Sequence, residues 1–231
     1  LVKPITKYAI MVNDPQKIAY HFDKAIHLAN TGRKGPVWID VPLDVQGSFI
    51  SPHELERFEE TIPGINADLE PFKKLLKTSK RPVILAGNGV RLANASKNLQ
   101  QFAEQYNIPV VTTFLGADLL PTSHPLNIGR TGIKGNRAAN FTMQNSDLLL
   151  SVGTRLGVPT IGYKYEFFAR GAKLVVVDID PEEHKKDTVK IDLFLHMDAK
   201  DFLNKLDLDF KCDNFWPAKS LEWKQKWPVF L

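Results

Sequence analysis

The sequence predicts an α/β protein: a doubly wound parallel sheet preceded by a smaller αβ fragment. Three observations predict it. Short runs rich in Val, Ile and Leu recur along the chain, and runs apolar on both faces mark strands of a parallel sheet covered on both sides. Segments with apolar residues at helical spacing separate these runs, the alternation that builds such sheets with right-handed crossovers. Glycine-rich turns follow some of the strands directly, at the end where open parallel sheets bind ligands.

The first element is a helix opened by Asp14-Pro15, an N-cap carboxylate followed by proline at the first helical position. Ile18, Phe22, Ile26 and Ala29, with Ala25 beside them, predict its inward face, and Gly32 stops it. Residues 36–41 form a strand of Val, Trp and Ile ended by Pro42. The stretch GPVWIDVPLD at 35–44 therefore reads as the close of an αβ step, yet the 34 residues before it leave no room for the other strands of such a sheet. The expectation is an interior slice of a larger protein. Residues 45–64 are weakly patterned and punctuated by Gly47, Pro52 and Pro63-Gly64; they predict a linker with a short helix capped by Ser51, Glu54 standing three residues on.

A self-contained unit follows. A helix at 68–78 turns Leu69, Phe72, Leu75 and Leu76 to one face. Next come a strand at 82–86 and a helix at 92–106 with Leu92, Ala95, Leu99, Phe102 and Ala103 inward. A strand at 109–112, a helix at 135–145 and strands at 147–152 and 173–178 continue the alternation. A short strand at 189–191 and a helix at 198–206 finish it. The tail carries Trp216, Trp223 and Trp227, with Ser220 on the helical face of the last two; such bulk predicts packing against a further domain. The domain expectation is 1–50 as the end of one domain, 51–65 as linker, 66–209 as the central α/β domain and 210–231 as the start of a second linker.

Composition narrows the function classes. The chain has 43% hydrophobic and 24% charged residues, ordinary for a globular protein. Its 30 Lys and Arg against 26 Asp and Glu are scattered, and without a basic stripe a nucleic-acid partner is not expected. No apolar run reaches the roughly 18 residues of a membrane span. Cys212 is the only cysteine, so no internal disulfide or cysteine-based zinc cluster forms, and a cytoplasmic setting is expected.

Several segments are candidates for ligand contact. Gly87-Asn88-Gly89 directly follows a strand, where glycines permit a tight turn and close approach to a phosphate, or simply a turn. A dinucleotide fingerprint needs a third glycine where Leu92 stands. Asp178-Ile179-Asp180 ends a strand, placed to accept ribose hydroxyls, although Asp180 equally suits a cap for the turn at Pro181. The loop GRTGIKG at 129–135 offers backbone N–H groups with Arg130 and Lys134 to a diphosphate, or is a mobile surface loop. Arg155, after Gly153, is another phosphate candidate. The six histidines lack metal-ligand spacing, and no nucleophile-base signature is present. Residue chemistry alone thus yields a nucleotide-shaped domain and no catalytic group.

The ordered segments GPVWIDVPLDV, RPVILAGNGV, PVVTTFLG, HPLNIGRTGIKGNRAAN, SDLLLSVGTRL and VVVDIDPEE resemble the thiamine-diphosphate-dependent enzymes, in their acetolactate synthase-like branch. The resemblance implies a Rossmann-like central domain between a pyrimidine-binding domain, of which residues 1–50 are the incomplete C-terminal end, and a diphosphate-binding domain absent from these residues, toward which 210–231 begin the linker. It implies 2-oxo acid decarboxylation and carboligation by a transferase using thiamine diphosphate and Mg2+, with those sites outside this chain and the chain alone inactive. It also implies a parent homodimer or homotetramer. FAD or ADP on the central domain would meet Gly87, Asn88, Gly89, Thr113, Phe114, Gly153, Arg155, Asp178, Ile179 and Asp198. One departure stands against a flavoprotein: after Arg155 the chain reads Leu156-Gly157-Val158-Pro159, where flavin-binding relatives carry an acidic pair and an arginine. The alternatives are a structural or oligomerisation domain without nucleotide, and an independent NAD-binding module.

Overall fold

The computed structural model describes residues 1–60 and 67–229, so the Pro63-Gly64 punctuation lies outside the described residues. The chain divides into two compact units, Leu1–Gly64 and Ile65–Leu231.

In the first unit β1 (Tyr8–Met11) and β2 (Val37–Asp40) pair in parallel, Tyr8 opposite Val37 through Met11 opposite Asp40. They are joined by a 3-10 turn at Pro15–Lys17 and by α1 (Ile18–Asn30). The predicted start is present: Asp14 Oδ1 accepts the Gln16 N–H at 3.0 Å. The inward face is not the predicted one. Ala25 and His27 are buried, while Phe22 and Ile26 stay 44% and 60% exposed. Two strands roughly 5 Å apart cover only a narrow strip of a helix, and that strip falls beside the stripe the periodicity marks. The helix expected at Ser51 is replaced by one turn, closed by the Glu54 N–H on the Ser51 carbonyl at 3.0 Å. The short helix lies earlier, at α2 (Leu43–Gln46), directly after Pro42.

The second unit begins with α3 (Glu70–Thr78) and β3 (Pro82–Ala86). Then come α4 (Asn88–Leu92), α5 (Ser96–Tyr106), β4 (Val110–Thr112), β5 (Asn127–Arg130) and α6 (Arg137–Gln144). β6 (Leu148–Val152), α7 (Val158–Ile161), β7 (Lys173–Asp178), β8 (Leu193–His196), α8 (Ala199–Lys205) and α9 (Phe215–Lys226) complete it. The six strands form one parallel sheet in the order β5-β4-β3-β6-β7-β8. The chain thus winds outward from β3 in one direction and from β6 in the other, the doubly wound arrangement expected. Every residue of β3 and β6 is buried, as helices on both faces require.

Four expectations are corrected here. The helix read as 92–106 is two helices, because Asn94 adopts a left-handed φ of 52° and the Ala95 N–H reaches back to the Val90 carbonyl; Leu92 accordingly ends 46% exposed instead of inward. Residues 129–130, read as loop, end strand β5, hidden in the sequence by the strand-breaking Gly129 at φ 120°. The last strand is Leu193–His196, not 189–191. Its register is set by Asp192, whose carboxylate accepts the Leu174 N–H at 2.9 Å and pairs with Lys173 at 3.0 Å. Finally, the tail tryptophans pack on this unit itself. Trp216 is buried and donates Nε1–H to the Pro82 carbonyl at 3.0 Å, and Phe141 meets the rings of Trp223 and Trp227 edge-on. Lys224 of α9 donates to the Thr122 and Asn127 carbonyls, and burial lowers its pKa from the usual lysine value. No helix of the described residues is long and apolar enough to cross a membrane.

Candidate functional site

The winding reverses between β3 and β6, and in open α/β sheets a crevice forms at that point outside the carboxyl ends of the strands. The fold brings every residue singled out for cofactor contact to this one edge. Gly87, Asn88 and Gly89 leave β3; Thr113 and Phe114 leave β4; Gly153 and Arg155 leave β6; Asp178 ends β7 with Ile179 after it; and Asp198 follows β8.

At the reversal point the glycines serve backbone packing. Gly87 N–H donates to the Val152 carbonyl at 3.0 Å and Gly89 N–H to the Gly153 carbonyl at 2.9 Å. A Cβ on Gly87 would stand 2.3 Å from the Gly153 oxygen, and one on Gly89 2.6 Å from the Gly153 Cα. Gly153 itself has φ +59°. The space these glycines open is therefore filled by the chain's own backbone, and their N–H groups are engaged within it. Beside them Asn88 Oδ1 accepts from Arg91 Nη1 at 2.5 Å, and Arg91 continues to the Leu115 carbonyl at 2.6 Å and to Asp118.

The loop at 129–135 is likewise closed on itself. Gly132 N–H donates to Asn140 Oδ1, Ile133 N–H to the Pro159 carbonyl, Gly135 N–H to the Gly132 carbonyl and Asn136 N–H to the Arg130 carbonyl. The amides expected to cradle a diphosphate are thus hydrogen-bonded inside the fold. Arg130 folds back over Phe114, its Cζ 5.0 Å from the ring centroid, and donates Nη2–H to the Lys134 carbonyl at 2.7 Å.

On the other side of the reversal Arg155 is held by Glu183, Nε to Oε2 2.9 Å, and Lys186 reaches the same carboxylate at 2.8 Å. Asp180 caps the following turn by accepting the Glu182 N–H at 3.0 Å. Asp198 caps α8, accepting the Lys200 N–H at 2.8 Å and the Asp201 N–H at 3.4 Å. Asp178 is half-buried; Oδ1 accepts the Asp180 N–H at 3.0 Å, and Oδ2 lies 3.2 Å from His184 Nε2. His184, its side chain 3% exposed, also leans on the Phe194 ring at 5.5 Å. Neither ring nitrogen is aligned for a hydrogen bond, so the contact with Asp178 is electrostatic, an ion pair whenever the imidazole is protonated. Sequence reasoning passed over His184 because it compared histidines only with one another; the readable signal was its place in the turn closed by Asp180, just beyond Asp178.

Chemically, this edge offers hydrogen-bond acceptors, guanidinium groups and an exposed aromatic ring, the means of binding a polar anionic ligand. Among the described residues no three His, Cys, Asp or Glu side chains gather to hold a metal ion, and burial, with Asp213 and Asp147 nearby, pushes the Cys212 thiol up to about 12, leaving no thiolate at neutral pH.

Residues 69–206 match the family described as thiamine pyrophosphate enzyme, central domain. The chain is similar to the probable acetolactate synthase large subunit of Methanocaldococcus jannaschii, 36% identical over 97% of this chain and 40% of that protein. It is 36% identical to the acetolactate synthase large subunit of Corynebacterium glutamicum over 89% of this chain and 33% of that one. With the acetolactate synthase large subunit of Lactococcus lactis the identity is 33%, over 89% of this chain and 36% of the relative. The chain thus spans between 33% and 40% of the length of these relatives.

Proposed function

The chain belongs to the thiamine pyrophosphate enzyme family, whose central domain it carries, and from that membership we propose that it is the central portion of an enzyme of acetolactate synthase type. The parent then decarboxylates a 2-oxo acid and joins the remaining carbons to an acceptor. Thiamine diphosphate supplies the electron sink for that chemistry. The described residues do not fit the cofactor's Mg2+-bound diphosphate, since they gather no metal-ligand set, and no reaction step is assigned to them. In this reading residues 1–50 end the pyrimidine-binding domain. The remainder of that domain and the diphosphate-binding domain belong to the rest of the parent, a cytoplasmic homodimer or homotetramer, and the 231-residue chain alone releases no CO2 from pyruvate. Measurable release by the pure chain would overturn this division of labour.

The role proposed for the domain itself is binding FAD or ADP along the carboxyl edge. The observation that carries it is the convergence of Thr113, Phe114, Arg155, Asp178 and Ile179 on the winding reversal. Calorimetric titration of the chain with FAD and with ADP tests it: saturable heat with either supports the site, and none with both removes it. A second reading, a structural domain without nucleotide, is favoured by the interlock of Gly87 and Gly89 with Gly153. An Asp178→Ala variant that binds both nucleotides as the wild type does would remove Asp178 from the site and leave the first reading standing, whereas a wild type that binds neither favours the second.

A further inference from the structure

The basic side chains of the carboxyl edge are not alike. Arg91 is matched by Asp118, and Arg155 and Lys186 share Glu183. Arg130, at the end of β5, has no carboxylate partner among the described residues, and its Nε is buried without an acceptor. A half-buried cation without a counter-charge carries a desolvation cost, which a bound anion would offset. The guanidinium is nevertheless held in place: Nη2 donates to the Lys134 carbonyl at 2.7 Å, and Cζ lies over the Phe114 ring, 5.0 Å from its centroid. Phe114 is itself 62% exposed, so the pair stands at the rim, beside the end of β4, to which β5 is hydrogen-bonded.

We infer that Arg130, carried on Phe114, is a residue that binds phosphate at this edge. The ligand class is the phosphate or diphosphate group of a nucleotide, and this part rests on the nucleotide reading given above. A guanidinium fork suits phosphate oxygens, being planar, permanently charged and weakly hydrated. The cation–π contact with Phe114 and the hydrogen bond to Lys134 hold the group before the ligand arrives, which lowers the ordering cost of binding.

The test is calorimetric titration of the 231-residue chain with inorganic pyrophosphate, ADP and adenosine, for wild type, Arg130→Gln and Arg155→Gln. Removing a charge-assisted contact of this kind weakens binding about ten- to a hundred-fold. That loss is expected for pyrophosphate and ADP in Arg130→Gln, with adenosine unchanged, and a smaller loss is expected in Arg155→Gln, whose Nε already pairs with Glu183. Arg130→Met, which keeps the aliphatic stem against Phe114, serves as the second variant, and thermal melts of both confirm folding. Undiminished binding of ADP and pyrophosphate to both Arg130 variants overturns the assignment and leaves the nucleotide reading standing. Pyrophosphate binding that Arg130→Gln abolishes, with ADP no tighter than pyrophosphate, upholds Arg130 and sinks the ADP form of the nucleotide reading. A wild type that takes up neither pyrophosphate nor ADP overturns the Arg130 assignment and the ADP form of the nucleotide reading.

Discussion

In the unit from Ile65 to Leu231 all residues of β3, β4 and β6 are buried, whereas β1 and β2 in the unit from Leu1 to Gly64 run between half-buried and exposed. Both units use parallel strands joined through a helix. The difference is strand number: six strands present two broad faces to helices, and two strands present almost none. A contiguous core from Phe72 to Trp216 results in the larger unit, while the smaller one buries only Val12, Ala25, Val45 and His27 among its described residues. The same local pattern therefore yields a core only where enough distant strands assemble.

Paired substitutions probe this contrast, beginning with the largest effect. Phe72→Ala removes a ring with no solvent exposure that packs on Phe202 at 5.4 Å, and a loss of about 3–5 kcal/mol in urea unfolding is expected. Phe22→Ala, on the half-exposed face of α1, should lose under about 1 kcal/mol; equal losses for the two would break the contrast. Glycines separate the units in the same way. Gly153→Ala forces a Cβ to 2.7 Å from the Gly89 Cα at a φ of +59°, and roughly 3 kcal/mol or more should vanish. Gly32→Ala, at φ +57° but with nothing within 4 Å of the added Cβ, keeps only the backbone penalty of about 1 kcal/mol.

Acid sensitivity should also concentrate in the larger unit. Burial raises the Asp147 pKa, but hydrogen bonds from the Ser79 hydroxyl and from the Lys80 and Arg81 N–H groups outweigh it and hold the carboxyl below its usual value. A folded pKa depressed below the unfolded one means the contribution is present above about pH 4 and disappears as pH falls through the folded value. Asp147→Asn should therefore cost about 1–3 kcal/mol at neutral pH and progressively less in acid, read from denaturation midpoints across pH. Asp14→Asn, an exposed cap that asparagine also fills, should change stability by only a few tenths of a kcal/mol at any pH. The smallest effect is on Cys212, whose buried thiol is pushed up to about 12; a thiol reagent at neutral pH should label it only as fast as the unit opens, and immediate labelling would show that the tail is not docked.

Elements were legible where one residue type decided them. Asp14-Pro15 marked the start ahead of α1, and the apolar runs placed β3 and β7 at Pro82–Ala86 and Lys173–Asp178. They were illegible where a single backbone angle intervened, as at Asn94 between α4 and α5 and at Gly129 inside β5. The candidate site was legible as a set of strand ends but not as a set of free groups. Arg155 and Asp198 each read as available for a ligand, and each is held by a partner, Glu183 or the amides of α8. Arg130 read as one cation of a glycine loop, and its lack of a carboxylate partner among the described residues appeared only when the neighbouring strand ends were assembled.

The linear order of residues determined the α/β class, the doubly wound alternation and the ends of most strands, because backbone geometry and side-chain periodicity act over a few neighbours. Only the tertiary structure decided which glycines abut, which cations are neutralised and where the tryptophan tail rests. Those outcomes depend on contacts such as Gly87 with Gly153 and Trp216 with Pro82, between residues far apart along the chain, which no local pattern encodes.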